Sequence, residues 1–239
     1  MIQKRNQGFT IIELMLSIAF ISFLLLSIAL LAIQVGRMYQ RGLTLQTINQ
    51  SGREISDMMR RDFLQARAPH ITTAAVSRGG EVVGGRLCLG DYSYVWNNVA
   101  ALEKYAAADS SLARLAGSTQ PLTLARVADP GGLLCTLDAA GQYTQEVTPS
   151  STTQLLRQKA SNDDAVVGIH TMTAERIIAP SAHLSQGLGD EALYQVRFVL
   201  GTGVTSEINT ADHTCKPPNE ADLEYCAINK FEIVARTNG

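Results

Sequence analysis

The chain is poor in residues that break helices and in patterns that build catalytic centres. None of its seven prolines precedes Pro69, so no ring clash forbids a continuous helix before that point. No ionisable residue lies between Glu13 and Arg37, which excludes a solvent-facing helix there. The four histidines, His70, His170, His183 and His213, are scattered. None joins an H-E-x-x-H motif, and neither G-x-S-x-G nor a P-loop pattern occurs. These absences argue against an enzyme, and no catalytic residue and no cofactor is expected. The four cysteines form no C-x-x-C pair and only His213 sits near one, which disfavours zinc.

What is present begins with an apolar run over 9–33, 25 residues or roughly 37 Å of helix against about 30 Å of hydrocarbon. A cleavable secretory signal has a shorter apolar core of about 7–15 residues followed by a small-residue cleavage site. No such site follows Ile33, so the run reads as an N-terminal anchor. Glu13 lies near its start, and a charge at that depth costs about 2.5–3.5 kcal/mol. An intramembrane acid is a functional-site hypothesis by default. A cut between Gly8 and Phe9 would create a new amino group four residues from Glu13.

Charge is distributed unevenly. The leader 1–8 carries +2 from Lys4 and Arg5, and 9–33 carries −1. Segment 34–68 has six Arg against three acids, +3, leaving −6 on 69–239 and a net −2. An acidic head argues against nucleic-acid binding, and no specific nucleic-acid partner is expected. Lys4 and Arg5 favour a cytoplasmic N-terminus, and Arg37 and Arg41 beyond the run oppose them. Cys88, Cys135, Cys215 and Cys226 all lie downstream of the anchor, which favours an extracytoplasmic head with two disulfides. Three pairings are possible, with buried free thiols the alternative. We favour Cys88–Cys135 with Cys215–Cys226, because the second pair closes a short polar loop, worth about 3 kcal/mol.

The helical period continues beyond the anchor. Leu45, Ile48, Gly52, Ile55, Met59, Phe63 and Ala66 recur at spacings of three and four with charged residues between them. Pro69 supplies the stop. One helix over about 9–67 is expected, its second half amphipathic and covered by a head domain. After Pro69 the pattern turns to short β-like runs at 81–89, 92–96, 121–127, 133–137, 165–173, 192–200 and 226–236. Gly79-Gly80, Asp129-Pro130-Gly131-Gly132 and Gly201-Thr202-Gly203 act as turn signals between them. Segments 99–115 and 152–160 read as short helices or loop turns. The expected organisation is a leader at 1–8, a membrane half of the helix at 9–33, an amphipathic half at 34–68 and a β-rich head at 69–239. The fold class is α+β, with a long helix packed on a mainly antiparallel sheet.

The order Lys4-Arg5-Asn6-Gln7-Gly8-Phe9-Thr10-Ile11-Ile12-Glu13-Leu14-Met15 resembles the processing motif of type IV prepilins and type II secretion pseudopilins. It has a short basic leader ending in glycine, then phenylalanine, an apolar run, and glutamate fifth from the cut. Arg60-Arg61-Asp62-Phe63-Leu64 is similar to the helix end of the larger minor pilins of the W and J types. The resemblance covers the anchor and, more loosely, the stalk, and no family motif spans 70–239. It implies cleavage after Gly8 by a prepilin peptidase, N-methylation of Phe9, and pairing of Glu13 with a Phe9 amine of its own or a neighbouring chain. Such a pair suits setting subunit register better than adding net stability. One departure is the lack of the helix-breaking anchor proline found in common major pilins. Ser22 and Ser27 are the remaining candidates for loosening the helix, and Ala32 with Gly36 forms a small-xxx-small pair.

The function implied is that of a minor pilin-like structural subunit. It would wait in lipid as a single-pass precursor and then join other pilin subunits through its helix at the cell surface. Two alternatives stand beside it, a tip-displayed adhesin or ligand-binding pilin and a minor pseudopilin of type II secretion. In the head, Tyr92, Tyr94 and Trp96 share one strand face, suited to packing on the stalk or to an aromatic ligand platform. Glu220, Asp222 and Glu224 with Asp212 lack the spacing of a calcium loop and read as a solvated loop, so no metal is expected.

Overall fold

The computed structural model describes residues 10–106, 109–139, 141–156, 167–178, 192–209, 212–217 and 226–238. Helix α1 spans Ile11–Gln65, 55 residues, or about 80 Å. It starts where Thr10, in extended conformation, accepts a hydrogen bond from the Glu13 N–H at 3.3 Å. Thr10-Ile11-Ile12-Glu13 has the order of a capping box. The helix ends at extended Ala66, whose N–H donates to the Asp62 and Phe63 carbonyls. A 3₁₀ turn at Ala68–His70 contains Pro69 and follows the helix end.

Two antiparallel sheets follow. Strands β1 (Thr72–Arg78), β2 (Glu81–Cys88) and β3 (Tyr92–Asn97) lead into helix α2 (Val99–Lys104). After it come β4 (Arg114–Leu115), β5 (Leu124–Ala128), β6 (Glu146–Val147), β7 (Thr152–Leu156), β8 (Val167–Ile178) and β9 (Leu193–Thr202). Strands β10 (Ile208–Asn209), β11 (Thr214–Cys215) and β12 (Ile228–Arg236) complete the order. The larger sheet runs β1-β2-β3-β5-β7, the smaller β12-β9-β8. β10 pairs with β11 as a small hairpin, and β4 with β6 as a short parallel pair. Gly79 and Gly80, at φ 59 and 87, make the two-residue turn that joins β1 to β2, a conformation side chains resist.

The second half of α1 lies in a core built from both sheets. Ile48, Ile55, Met59 and Phe63 pack with Leu87, Tyr94 and Leu124 of the larger sheet and with Tyr194, Phe198 and Ile233 of the smaller. Each fully buried aliphatic or aromatic side chain there contributes about 1.5–3 kcal/mol. The outer face of the larger sheet has its own cluster around Cys88, Val95, Ala125 and Leu134. Disulfides join Cys88 to Cys135 and Cys215 to Cys226. Fully buried Arg86 donates from Nη2 to the Thr144 carbonyl at 2.6 Å and to Gln145 Oε1 at 2.9 Å. Burial pulls its guanidinium down to about 10, which leaves it charged at neutral pH.

The architecture is the α+β arrangement expected: a long N-terminal helix and a mainly antiparallel sheet domain. Several local expectations need correction. Segment 133–137, read as a strand, is a 3₁₀ turn at Leu133–Cys135, because the Asp129 carboxylate accepts the Leu133 and Leu134 N–H groups at 3.0 Å. Segment 152–160, read as helix or turn, contributes β7, since Leu156 seals the core and 152–156 pairs along β5; the remainder lies outside the described residues. Segment 99–115, read as short helices or loop turns, contains a helix at Val99–Lys104 capped by the Asn98 side chain, but Arg114–Leu115 at its end is strand β4. Gly201 and Thr202, read as a turn, belong to β9, and Thr72–Arg78, not anticipated, forms edge strand β1.

Candidate functional site

Glu13 stands in the first turn of α1 with its side chain exposed. A carboxylate there lies where the helix dipole favours negative charge. Toward the chain start, Gly8 and Phe9, the expected cut site and N-methylation position, lie outside the described residues, as does the leader. Beyond Glu13 the apolar side chains are uncovered: Leu16, Phe20, Phe23, Leu31 and Val35 are among those exposed. The Ser17 and Ser27 hydroxyls donate to the Glu13 and Phe23 carbonyls at 2.8 and 2.9 Å. These bonds satisfy them within the helix, and α1 stays unbroken past Ser22 and Ser27. This is one helix long and apolar enough to cross a membrane.

Burial begins at Thr44 and continues to Phe63, where a polar clamp joins helix to sheet. Asp62, nearly fully buried, accepts from Arg126 Nε at 2.7 Å and Nη2 at 2.8 Å, and from the Tyr94 hydroxyl at 2.6 Å. The Arg126 guanidinium also lies 3.4 Å above the Tyr92 ring. Its hydrogen bonds to Asp62 push the Arg126 pKa up. Burial, then the bond to Asp62, pushes the Tyr94 phenol well above its usual range. Tyr94 and Trp96 are buried in the core shared with α1. Tyr94 therefore packs on the stalk and Tyr92 carries Arg126, so the three rings form no continuous open platform; of the three, Trp96 also borders a cleft.

No protein-family model matches the chain, and no curated protein or solved structure matches it either. Its role therefore rests on residues and geometry. The Asp62–Arg126 contact was not anticipated, although one signal was present. Asp62 follows Met59 by three positions, which places an acid on the apolar stripe, and a buried charge requires a partner.

A second feature was invisible in one dimension. Between β1–β2 and β8 lies a cleft of about 510 Å³ whose walls include Trp96, Asn98, His170 and His213. The two imidazoles stand with centroids 6.4 Å apart. Burial holds the His170 imidazole down at about 4, against the bond to the Thr202 carbonyl; His213 adds to the lowering and Glu103 opposes it. Among the described residues no group of three or more His, Cys, Asp or Glu side chains is placed to hold a metal ion. The loop with Glu220, Asp222 and Glu224 lies outside the described residues. His70 sits in the turn after α1, and His183 lies outside them.

Proposed function

We propose that this chain is a minor pilin-like structural subunit of a type IV pilus or related filament. The observation that carries the reading is the contrast between the halves of one helix. Residues 44–63 are held in the head by a shared core and the Asp62 clamp. The apolar half before them is uncovered. An apolar surface of that size calls for lipid or other apolar helices. A subunit stored in a membrane and then transferred to a helical filament core satisfies both demands in turn. The disulfides favour a head outside the cytoplasm.

The leader motif adds a mechanism. Cleavage after Gly8 by a prepilin peptidase leaves the Phe9 amine, later methylated, as a cation for Glu13 of the same or a neighbouring chain. Pairing in a medium of low dielectric sets the axial register between subunits.

N-terminal sequencing of the protein from cells, expected to begin at methylated Phe9, is the direct test. Gly8→Ala should leave an uncut membrane form, and Glu13→Ala should be cut yet depleted from sheared filaments. Recovery of native protein that retains 1–8 overturns the processing step. Undiminished incorporation of Glu13→Ala overturns the pairing step.

The cleft between β1–β2 and β8 favours a second reading, a ligand-binding pilin displayed at the filament tip, since its volume falls in the range of small-ligand sites. Deletion separates the two. Lost filaments point to assembly, and normal filaments with lost attachment point to adhesion.

A further inference from the structure

Two backbone irregularities, far apart in sequence, bring two histidine rings into one cleft with centroids 6.4 Å apart. Strand β8 pairs with β9 in simple register until Ile169 opposes Leu200 and Thr171 opposes Val199, which leaves His170 as an extra residue. Such bulges redirect a side chain at the expense of a ladder bond. His213 lies in the turn of the β10–β11 hairpin at φ 53, the one non-glycine residue with positive φ among the described residues. That conformation is uncommon outside glycine, though histidine is among the residues that adopt it more readily.

Surrounding groups hold the hairpin in place. The His213 N–H donates to the Asn209 carbonyl at 2.9 Å, and Lys230 Nζ to the Asp212 carbonyl at 2.8 Å. The Asp212 carboxylate accepts from the Thr214 N–H and hydroxyl, and the Cys215–Cys226 disulfide follows directly. Opposite, Gly201 leaves room for the His170 ring, since a Cβ there would lie 2.9 Å from Nε2.

We propose that His170 and His213 are, among the described residues, the two protein ligands of a divalent transition-metal site in this cleft, suited to Cu²⁺, Ni²⁺ or Zn²⁺. A carbonyl only accepts, so the 3.1 Å contact between His170 Nε2 and the Thr202 oxygen places the ring proton on Nε2 and leaves Nδ1 as the donor atom. This backbone tether is the outer contact that orients metal-binding histidines. With metal–nitrogen bonds of about 2.0–2.1 Å, two rings on one ion have centroids about 5 Å apart in tetrahedral geometry and about 6.4 Å apart when opposed. The observed 6.4 Å lies at the wide end of that range, and half-buried His213 need move only about 1 Å to reach the narrow end. Imidazole donors select borderline cations over Ca²⁺ and Mg²⁺. Among the described residues no third donor is grouped with them, which leaves coordination positions open to water or to a donor atom of a molecule in the cleft. The inference is independent of the filament reading.

The test uses the untagged full chain in detergent micelles, stripped with chelator and titrated with Cu²⁺. One equivalent should bind, with nitrogen couplings from two imidazoles in the electron paramagnetic resonance spectrum. His170→Gln keeps an N–H for the Thr202 carbonyl, and His213→Asn suits the left-handed backbone. Each should remove one imidazole coupling and weaken binding about tenfold or more. Binding of wild-type strength in either variant, or a spectrum lacking imidazole coupling, overturns the site. If His170→Gln does not fold, His213→Asn with an unchanged circular dichroism spectrum decides the question alone.

Discussion

Phe231 of β12 occupies the space that a side chain on Gly52 of α1 would need. A Cβ at Gly52 would lie 2.1 Å from Phe231 Cζ. The ring has little room to retreat, since it stacks on Phe198 with centroids 5.1 Å apart and planes 14° apart. Glycine inside a helix costs about 1 kcal/mol relative to alanine, and here the close approach of the sheet offsets that cost. Gly52→Leu should destabilise the head by about 3 kcal/mol, the upper range for overpacking. The denaturation midpoint measures it, and an unchanged midpoint would mean that Phe231 swings aside freely.

The Asp62 clamp makes a separate prediction. Asp62→Ala leaves Arg126 without its bidentate partner and the Tyr94 hydroxyl buried without an acceptor. The expected loss is about 3 kcal/mol, the lower end for breaking a buried pair, because Arg126 still reaches water. Adding Arg126→Met should cost much less than the sum of the single changes. A double-mutant cycle with coupling near zero would show that the two groups act independently.

Tyr94 adds a pH dependence. Its folded pKa is raised by burial and by the bond to Asp62, so the folded state holds the phenolic proton more tightly than the unfolded chain does. This stabilisation is fully present below about pH 10, the ordinary tyrosine value, and is lost progressively as pH rises above it. Stability of the wild type should therefore fall more steeply above pH 10 than that of Tyr94→Phe. Parallel curves for the two proteins would show that Tyr94 is not the group responsible.

Cys215 and Cys226 are 11 positions apart, and closing so short a loop restrains the unfolded chain by about 3 kcal/mol. The Cys215→Ser, Cys226→Ser double variant should lose about that much in chemical denaturation. The unreduced wild-type chain should present no alkylatable thiol; four labelled cysteines in mass spectrometry would refute both bridges.

How far the sequence could be read depended on the range of each interaction. The long helix was legible because its period, the uncharged stretch after Glu13 and the stop at Pro69 are all local. The stripe through Ile48, Ile55, Met59 and Phe63 was legible for the same reason. Segment 133–137 was misread because its apolar residues look like a strand while Asp129, several positions earlier, caps a turn. β7 was missed because Thr152–Leu156 has little pattern of its own and becomes a strand only beside β5.

Sequence alone determined that this protein has an uncovered apolar helix, an amphipathic continuation and a β-rich head, since those properties follow from residue order along a few turns. It also carried the Gly8–Glu13 motif that supplies the proposed processing and pairing steps. Only the tertiary structure decided that Asp62 meets Arg126, that Gly52 admits Phe231 and that His170 lies beside His213. Those partners are separated by tens to well over a hundred positions. The first two meet because two sheets close around one helix, and the histidines because a hairpin packs beside a bulged strand; no local periodicity records which elements will be neighbours.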